Sequence, residues 1–440
     1  MDRYNIVSFC GIFVVAGIAW IFSANRRRLN FRLIGFGIAI QLLLALVVFG
    51  SPNSTKVFLY INDIVVRVIE AAAAGQRFLF GPLALPPGQT GPGGEESVGF
   101  ILAIQALPII VFFAALMGLL YYLRIMPLVI RAFAYVFTRL LSVSGAESLC
   151  AASNIFVGVE SATTIRPYLS KMTRSEFCTI LTAGMATVAS STLGLYILFL
   201  KDVFPTIAGH LISASVISAP AAIVISKIIM PEDSQPLTLG KHIDLQYERD
   251  SSAIEAIING AMAGVRLLAG VVALLIAFLG LVAIVDIGLA WTGNLCGRLF
   301  DAQFHWSLEL LLGKMMSPLA VVIGIPPSDA DLAATLLGKR LAATEIPAYL
   351  DLAQAVSDGS FSHSRSPVIV AYALCGFAHI ASLAIFVGGV AALVPERRSD
   401  LASVGPRALL AATLACLMTG AVAGTFFHTA QTVLGSTPEG

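Results

Sequence analysis

The chain has 440 residues, of which 57% are hydrophobic and 12% are charged, and its net charge is +1. Soluble globular domains carry about 25% charged residues, so this composition excludes a set of soluble domains and predicts an all-α polytopic membrane protein. The near-zero net charge gives no indication of a nucleic-acid partner. Six cysteines are scattered singly through apolar sequence without metal or redox spacing, so no cofactor is predicted.

Eight apolar runs are long enough to cross a bilayer, for which a helix needs about 20 residues. Their approximate limits are Ile6–Phe22, Leu33–Phe49, Phe100–Tyr122, Phe177–Phe199, Pro205–Ile229, Val265–Leu289, Val368–Val390 and Leu409–Phe427. The first run is followed by Arg26, Arg27 and Arg28 rather than by a small-residue cleavage site. We therefore expect it to be a membrane span and not a secretory signal.

Four shorter apolar pieces lie between these runs, namely Val57–Val68, Leu128–Leu140, Ala146–Leu169 and Leu308–Leu337. Two of them contain glycine or proline and carry carboxylates, at Asn154–Thr164 and Gly324–Ala330. A carboxylate in the middle of a membrane costs roughly 2.5–3.5 kcal/mol, so it needs a partner or a function. Broken segments in corresponding halves point to the central site of a transporter, and we expect two re-entrant helical hairpins that meet there.

The order of elements repeats on either side of the polar segment Pro231–Asp250. Each half reads as a span, an amphipathic piece, a broken piece with a carboxylate and two further spans, entered from opposite sides, which predicts an inverted repeat. The predicted divisions are 1–99 (two spans, an interfacial helix and an outer loop), 100–230 (first repeat, hairpin at about 146–169), 231–260 (cytoplasmic linker), 261–430 (second repeat, hairpin at about 317–345) and 431–440 (tail).

Basic residues predict the orientation, because cytoplasmic loops carry an excess of Lys and Arg. If the first hairpin returns to its own side, most basic residues share one face, and both termini are periplasmic in a bacterial plasma membrane. These residues are Arg26, Arg27, Arg28, Arg32, Arg124, Arg131, Arg139, Lys171, Arg174, Arg397, Arg398 and Arg407. The exceptions are Lys339, Arg340 and Arg365, which we expect a folded hairpin to hold.

Candidate binding residues concentrate at the broken pieces. Asn154 and Glu160, with neighbouring hydroxyls, predict an unwound tip that offers oxygen atoms to a cation or a polar solute. Asp329 follows a proline pair near a predicted helix start, where capping alone would explain a carboxylate. His379 and Ser382 share a helical face, and the histidine is either a packing residue or a solute- or proton-binding one. No constellation typical of an enzyme stands out.

Five sets of residues resemble motifs of the concentrative nucleoside transporter family, in the same order and over most of the chain. They are Gln105–Phe113, Gly145–Ser148 with Asn154–Gly158, Gly184–Val188, Gly324–Ala330 followed by Thr344–Tyr349, and Tyr372–Ala378. The resemblance implies eight spans and two re-entrant hairpins in a homotrimer, with a transport domain that moves against a scaffold. It also implies import of nucleosides coupled to an ion.

The resemblance further implies individual site residues. The implied Na+ ligands are Asn154, Thr187 and the backbone carbonyls of Val157 and Val188. The implied substrate-binding residues are Gln105, Val159, Glu160, Asp329, Phe377, His379 and Ser382, with Asp329 as the acid that binds the ribose.

Three departures from the family pattern fall in the implied solute pocket. The glutamine of the family's hairpin tip is missing beside Val159, which gives Glu160 the role of the tip's acid, and His379 replaces an asparagine. Ile380 and Ala381 replace a Phe-Ser or Phe-Gly pair. Three alternatives stay open: another nucleoside-like polar heterocycle as cargo, proton coupling through His379 or Glu160, and a channel or an intramembrane enzyme.

Overall fold

A computed structural model describes residues 2–49, 52–86, 90, 94–245, 250–300 and 306–428. The side chains of residues 52–59, 61, 159, 160 and 296–300 lie outside this description, and so does the predicted tail 431–440. The predictions for the Val159 and Glu160 side chains therefore fall outside the described residues. Within them the chain forms eighteen α-helices joined by turns and short 3-10 segments.

The helices follow one another along the chain. The N-terminal region forms α1 (Arg3–Ile21), α2 (Phe31–Phe49) and α3 (Pro52–Phe80). The next region forms α4 (Leu102–Gln105), α5 (Ile109–Tyr122), α6 (Ile125–Leu141), α7 (Gly145–Asn154), α8 (Arg166–Leu169), α9 (Arg174–Ala186), α10 (Ser190–Leu200) and α11 (Ile207–Ile229). The last forms α12 (Ala253–Phe300), α13 (Leu308–Val322), α14 (Pro327–Ala342), α15 (Glu345–Ser357), α16 (Arg365–Leu374), α17 (Ile380–Leu393) and α18 (Arg398–Phe426).

Seven stretches of the described chain are apolar and long enough to cross a membrane. They are Arg3–Ile21, Phe31–Phe49, Leu102–Tyr122, Arg174–Leu200, Ile207–Ile229, Ala253–Leu295 and Pro395–Phe426. The predicted span Val368–Val390 instead consists of the two shorter helices α16 and α17. Its continuous hydrophobicity does not reveal the break, because an apolar run reads the same whether its helix is continuous or interrupted.

The first broken piece is held at its start by polar caps and by the linker. The Ser144 hydroxyl accepts the Glu147 N–H, and the Glu147 carboxylate accepts the Ser144 N–H, which together cap the start of α7. Ser144 also forms an isolated β-bridge with Leu239 of the linker. α7 ends at Asn154, a 3-10 segment covers Val159–Ile165, and α8 follows.

The second broken piece consists of α13 and α14, which pack against each other and are joined by a tight turn. The turn needs glycine at position 324, where φ is +95° and a Cβ atom would lie 1.8 Å from the Ser8 hydroxyl oxygen. That hydroxyl donates to the Ile323 carbonyl at 3.0 Å. α1 therefore packs directly on the turn, and the α14 helix begins at Pro327, just before Asp329.

The basic loops that the sequence assigns to one face contact one another. The contacts are Arg28 to the Asp233 carbonyl (3.4 Å), Thr173 to Glu232 (3.0 Å), Arg397 to the Ser170 carbonyl (2.8 Å) and Arg174 to Ser403 (2.6 Å). Arg365 lies in a different cluster, where its guanidinium donates to Asn5 and Ser8 of α1, both at 3.1 Å. The Asn5 amide in turn donates to the Phe427 carbonyl at 2.9 Å, so the start of α1 lies beside the end of α18.

The remaining basic exceptions, Lys339 and Arg340, also have internal partners. Arg340 is buried and donates to the Ala373 carbonyl, and Lys339 pairs with Asp351. A basic residue that has a partner inside the protein does not belong to a loop, so Lys339 and Arg340 do not count in the positive-inside rule.

Candidate solute and cation site

Two interrupted helices contact each other at their breaks. α9 ends at Ala186 and α10 begins at Ser190, while α16 ends at Leu374 and α17 begins at Ile380. The two breaks touch at Gly376, whose φ is +147° and where a Cβ atom would lie 2.8 Å from the Ala186 carbonyl oxygen. Each break exposes backbone carbonyls at one helix end and N–H groups at the next start, so polar groups collect where the breaks meet.

A cavity of about 280 Å³ lies beside these breaks. Its wall on one side comes from α5 and α12, which contribute Met117, Tyr121 and Leu267. The opposite side contains Phe156–Gly158 of the first broken piece, Thr344–Ile346, and residues from the break before α17. The sequence predicts that the two broken pieces meet, and the structure brings the first one to Thr344–Ile346, at the exit of the second, rather than to Gly324–Ala330.

Glu345 provides a carboxylate in this cavity. Its side chain is buried, and its Oε1 atom accepts a hydrogen bond from the Tyr196 hydroxyl at 2.7 Å. Its Oε2 atom lies 2.9 Å from His379 Nε2, yet accepts no well-aligned hydrogen bond from the described residues. A buried carboxylate oxygen in that state can accept a hydroxyl of a bound solute.

The orientation of His379 is fixed by the start of α17. His379 Nδ1 accepts the Ser382 N–H at 3.2 Å, and the Ser382 hydroxyl oxygen accepts the His379 N–H at 3.4 Å. Because Nδ1 acts as an acceptor, the proton of the neutral ring must lie on Nε2, which faces Glu345. The Ser382 hydroxyl also donates to the His379 carbonyl at 2.8 Å, so it serves the cap while it lines the cavity.

Two further features complete the polar end of the cavity. The Thr344 hydroxyl is buried and has no hydrogen-bond partner among the residues that the structure describes. Phe377 lines the cavity with its ring partly exposed, beside His379. An aromatic surface next to a few convergent polar groups is typical of sites for small polar heterocycles.

Asp329 lies in a different place. Its carboxylate accepts the backbone N–H groups of Ser362 (2.9 Å) and His363 (3.1 Å) and the Ser366 hydroxyl. It is buried there and fixes the loop that leads into α16. Among the described residues, it is not one of those that line the cavity.

Gln105 also has a structural environment outside the cavity. Its buried amide nitrogen, which has two protons to donate, lies among the carbonyl oxygens of Leu83, Leu85 and Gly99, at 3.0, 3.0 and 2.7 Å. These bonds hold the outer loop against the end of α4. Of the predicted substrate-binding residues whose side chains are described, the cavity gathers Phe377, His379 and Ser382.

Sequence reasoning missed Glu345, which lines the cavity, and Tyr196, which bonds its carboxylate. Thr344 and Glu345 read as the exit of the second hairpin, because their helix start gives the same signal as an ordinary cap. A buried acid near an apolar tyrosine-bearing span could have suggested a pair, but no spacing rule links positions this far apart.

Three of the four residues predicted to bind Na+, Asn154, Thr187 and Val188, lie close together where α7 and α9 end. α7 and α9 both end here, and a helix C-terminus carries a charge of roughly −0.5. The Thr187 hydroxyl lies 2.9 Å from the Asn154 carbonyl oxygen, which brings the two helix ends together. Ser215 of α11 donates to the carbonyls of Ile155 (3.1 Å) and Val188 (3.4 Å).

This donor set fits an alkali cation. Asn154, Thr187 and Val188 offer neutral oxygens, and half-helix C-terminal ends with unwound carbonyls are the ligands that transporters use for Na+. Val157 lies three residues after Asn154, beyond the end of α7, and lines the cavity. The same short segment therefore borders both the oxygen cluster and the cavity.

Comparisons with known proteins show the family of the chain. Family models described as Na+ dependent nucleoside transporter C-terminus and N-terminus match residues 210–424 and 10–83, and one described as nucleoside recognition matches 103–203. The nucleoside permease NupC of Helicobacter pylori is 37% identical and aligns with 96% of this chain and 98% of its own. Human solute carrier family 28 member 3 is 33% identical over 100% of this chain and 61% of its own length.

Solved structures give the same result for the fold. A structure of CNTnw in an inward-facing substrate-bound state superposes with a TM-score of 0.84 at 32% sequence identity, covering 96% of this chain and 98% of the other. Similarity of this extent in sequence and structure is shared by members of one family. The chain therefore belongs to the concentrative nucleoside transporter family.

Proposed function

We propose that this transporter imports nucleosides across the bacterial plasma membrane by symport with Na+. The observation that carries the proposal is that a cluster of neutral oxygens and a cavity with a buried acid share the same helix break. Asn154 belongs to the cluster, and Phe156–Gly158 lines the cavity only two residues later. An ion that orders the oxygen cluster therefore also changes the shape of the cavity.

The solute proposal rests on the polar end of the cavity. Glu345 Oε2 accepts a ribose hydroxyl, and the neighbouring Thr344 hydroxyl is free to pair with the sugar as well. Phe377 packs against the solute, and His379 and Ser382 bind the solute beside it. Val159 and Glu160 remain proposed contacts to the base, from the family resemblance alone. Glu345 replaces Asp329 as the ribose-binding acid in this proposal.

Na+ rather than H+ coupling is favoured by the geometry of His379. Protonating the ring at Nδ1 would place an N–H group against the Ser382 N–H and break the cap of α17. The N-terminal end of a helix also disfavours a cation. Proton coupling through His379 would therefore break the cap of α17, and Glu160 is the other candidate for proton coupling.

The proposed orientation places the cluster of basic loops in the cytoplasm, following the positive-inside rule. The start of α1 and the end of α18, which lie together near Arg365, are then on the periplasmic side, as both termini are in this proposal. A homotrimer is supported by α12, a 48-residue helix of about 72 Å that exposes Ile276, Ile287 and Trp291 along its length.

The test is uptake of radiolabelled uridine and adenosine into proteoliposomes, with a Na+ gradient, a pH gradient or neither. The proposal expects concentrative uptake that needs Na+ and recovers the nucleoside unchanged. Uptake that is driven by the pH gradient and does not need Na+ would identify H+ as the coupling ion. If neither nucleoside is taken up but nucleobases or related heterocycles are, the cargo is one of these heterocycles and not a nucleoside.

A further inference from the structure

A buried tyrosine outside the cavity lining donates a hydrogen bond to Glu345, the acid of the cavity. Tyr196 on α10 is fully buried, and its hydroxyl contacts Glu345 Oε1 at 2.7 Å. We propose that Tyr196 is a positioning residue that selects which oxygen of Glu345 meets the solute, and thereby sets selectivity for the ribose hydroxyls. This inference rests on the proposed function.

The position of the Tyr196 hydroxyl is fixed by packing. The Tyr196 ring stacks on Tyr349, with centroids 4.4 Å apart and planes 16° from parallel. The Tyr349 hydroxyl donates to the Ala371 carbonyl of α16 at 3.0 Å. Helices α10, α15 and α16 therefore determine together where the phenol oxygen lies, and neither ring can turn without losing the stack.

The direction of the hydrogen bond follows from the chemistry of the two groups. An ionised carboxylate only accepts hydrogen bonds, and a phenol has a single proton to donate. Tyr196 must therefore donate to Oε1, which leaves Oε2 as the oxygen towards His379 and the cavity. Because a hydrogen bond to a charged group is stronger than a neutral one, it resists rotation of the carboxylate.

Loss of the Tyr196 hydroxyl would leave Oε1 buried without this donor. The carboxylate could then turn so that both oxygens compete for His379 Nε2, and the solute would meet an acceptor in more than one position. A hydroxyl that needs a fixed acceptor loses more affinity from this change than a solute without the hydroxyl. The expected result is a change in selectivity between ribonucleosides and deoxynucleosides.

The experiment compares Tyr196→Phe with wild type in detergent with saturating Na+, by calorimetric titration with uridine, 2′-deoxyuridine and 3′-deoxyuridine. We expect the Kd for uridine to rise about tenfold in the variant. The Kd for the deoxy analogue that wild type rejects more strongly should change much less, so discrimination shrinks. Tyr372→Phe is the matched control, because it removes another buried tyrosine hydroxyl, bonded to His210 Nδ1 at 3.2 Å, and should keep wild-type discrimination.

A second measurement separates positioning from a general structural effect. In a Glu345→Gln background, Tyr196→Phe should have little further effect on uridine binding, since the two act through one group. Equal losses for uridine and both analogues, wild-type discrimination in Tyr196→Phe, or additive effects in the double variant would each overturn the assignment. If wild type binds no nucleoside, the proposed function fails and the assignment fails with it.

Discussion

Glu345 and His379 meet across the cavity, with His379 Nε2 2.9 Å from Glu345 Oε2. They start different helices, α15 and α17, so each lies at the N-terminal end of a helix, where the dipole favours negative charge. A carboxylate is favourable there and a protonated histidine is not. The helix start therefore favours Glu345 as a hydrogen-bond acceptor in the cavity, and the predictions on solute binding depend on this acceptor.

Replacing the cavity acid should abolish most of the nucleoside affinity. Glu345→Gln removes a charged acceptor, and a hydrogen bond to a charged group is worth about 1.5–3 kcal/mol, so we expect the uridine Kd to rise about 10- to 100-fold. Binding of radiolabelled uridine to purified protein measures this.

Asp329→Asn is the matched control for that measurement. It alters an acid of the same region that bonds Ser362, His363 and Ser366 outside the cavity. The folded fraction of this variant should bind uridine nearly as wild type does, although its thermal stability should fall. A large loss of affinity in Asp329→Asn together with little change in Glu345→Gln would restore the assignment made from the sequence.

The Thr187 hydroxyl should matter for the ion more than for the solute. Thr187→Val keeps the shape of the side chain but removes an oxygen 2.9 Å from the Asn154 carbonyl. We expect the Na+ concentration for half-maximal uptake to rise about tenfold, the loss of one polar contact, with a smaller change in maximal rate at high Na+.

Thr182→Val provides the comparison, because Thr182 is a buried threonine of the same helix whose hydroxyl reaches the Ala408 carbonyl at 3.4 Å. It should leave the Na+ dependence unchanged. Identical Na+ curves for Thr187→Val and wild type would exclude Thr187 from the ion site.

The contact between the two helix breaks should not tolerate a side chain. Gly376→Ala would force a φ of +147° on alanine and place its Cβ 2.8 Å from the Ala186 carbonyl. Such backbone strain costs roughly 1–3 kcal/mol, so the apparent Tm should fall and Na+ affinity should weaken. The control is Gly388→Ala on α17, where an added Cβ has no described neighbour within 4 Å and should not destabilise the helix. Equal Tm values for the two variants would contradict this account.

Lys227 should stabilise the junction between the first broken piece and the linker. Its ammonium pairs with Glu147 at 2.5 Å and with Glu232 at 3.3 Å, and both Lys227 and Glu147 are buried. Lys227→Met leaves a buried carboxylate without its cation, which typically costs about 3–5 kcal/mol. Thermal unfolding in detergent should show a clearly lower apparent Tm.

Removing the stranded acid as well provides the check on that explanation. The double variant Lys227→Met with Glu147→Gln should recover part of the lost stability, because no unpaired charge is then buried. A double variant less stable than the single one would show that Lys227 acts through other contacts.

The second broken piece shows where reading the sequence stops being sufficient. Asp329 and Glu345 are both acids beside apolar sequence; Asp329 lies in the first turn of α14, and Glu345 begins α15 just after α14 ends. A helix of 16 residues is about 24 Å long, so only one of them can reach the cavity. The local sequence pattern is the same for both acids, and the tertiary packing, in which α15 contacts α10, decides which of them lines the cavity.

The sequence by itself determined the membrane class, most of the span positions, the family and the position of the oxygen cluster near Asn154 and Thr187. These follow from hydropathy and from local motifs, which act over a few residues of chain. Only the tertiary structure placed Glu345 in the cavity, the Tyr196 hydroxyl against its carboxylate and His379 Nδ1 in the cap of α17. The reason is that these contacts join residues distant in the chain, and their geometry is set by how the interrupted helices pack.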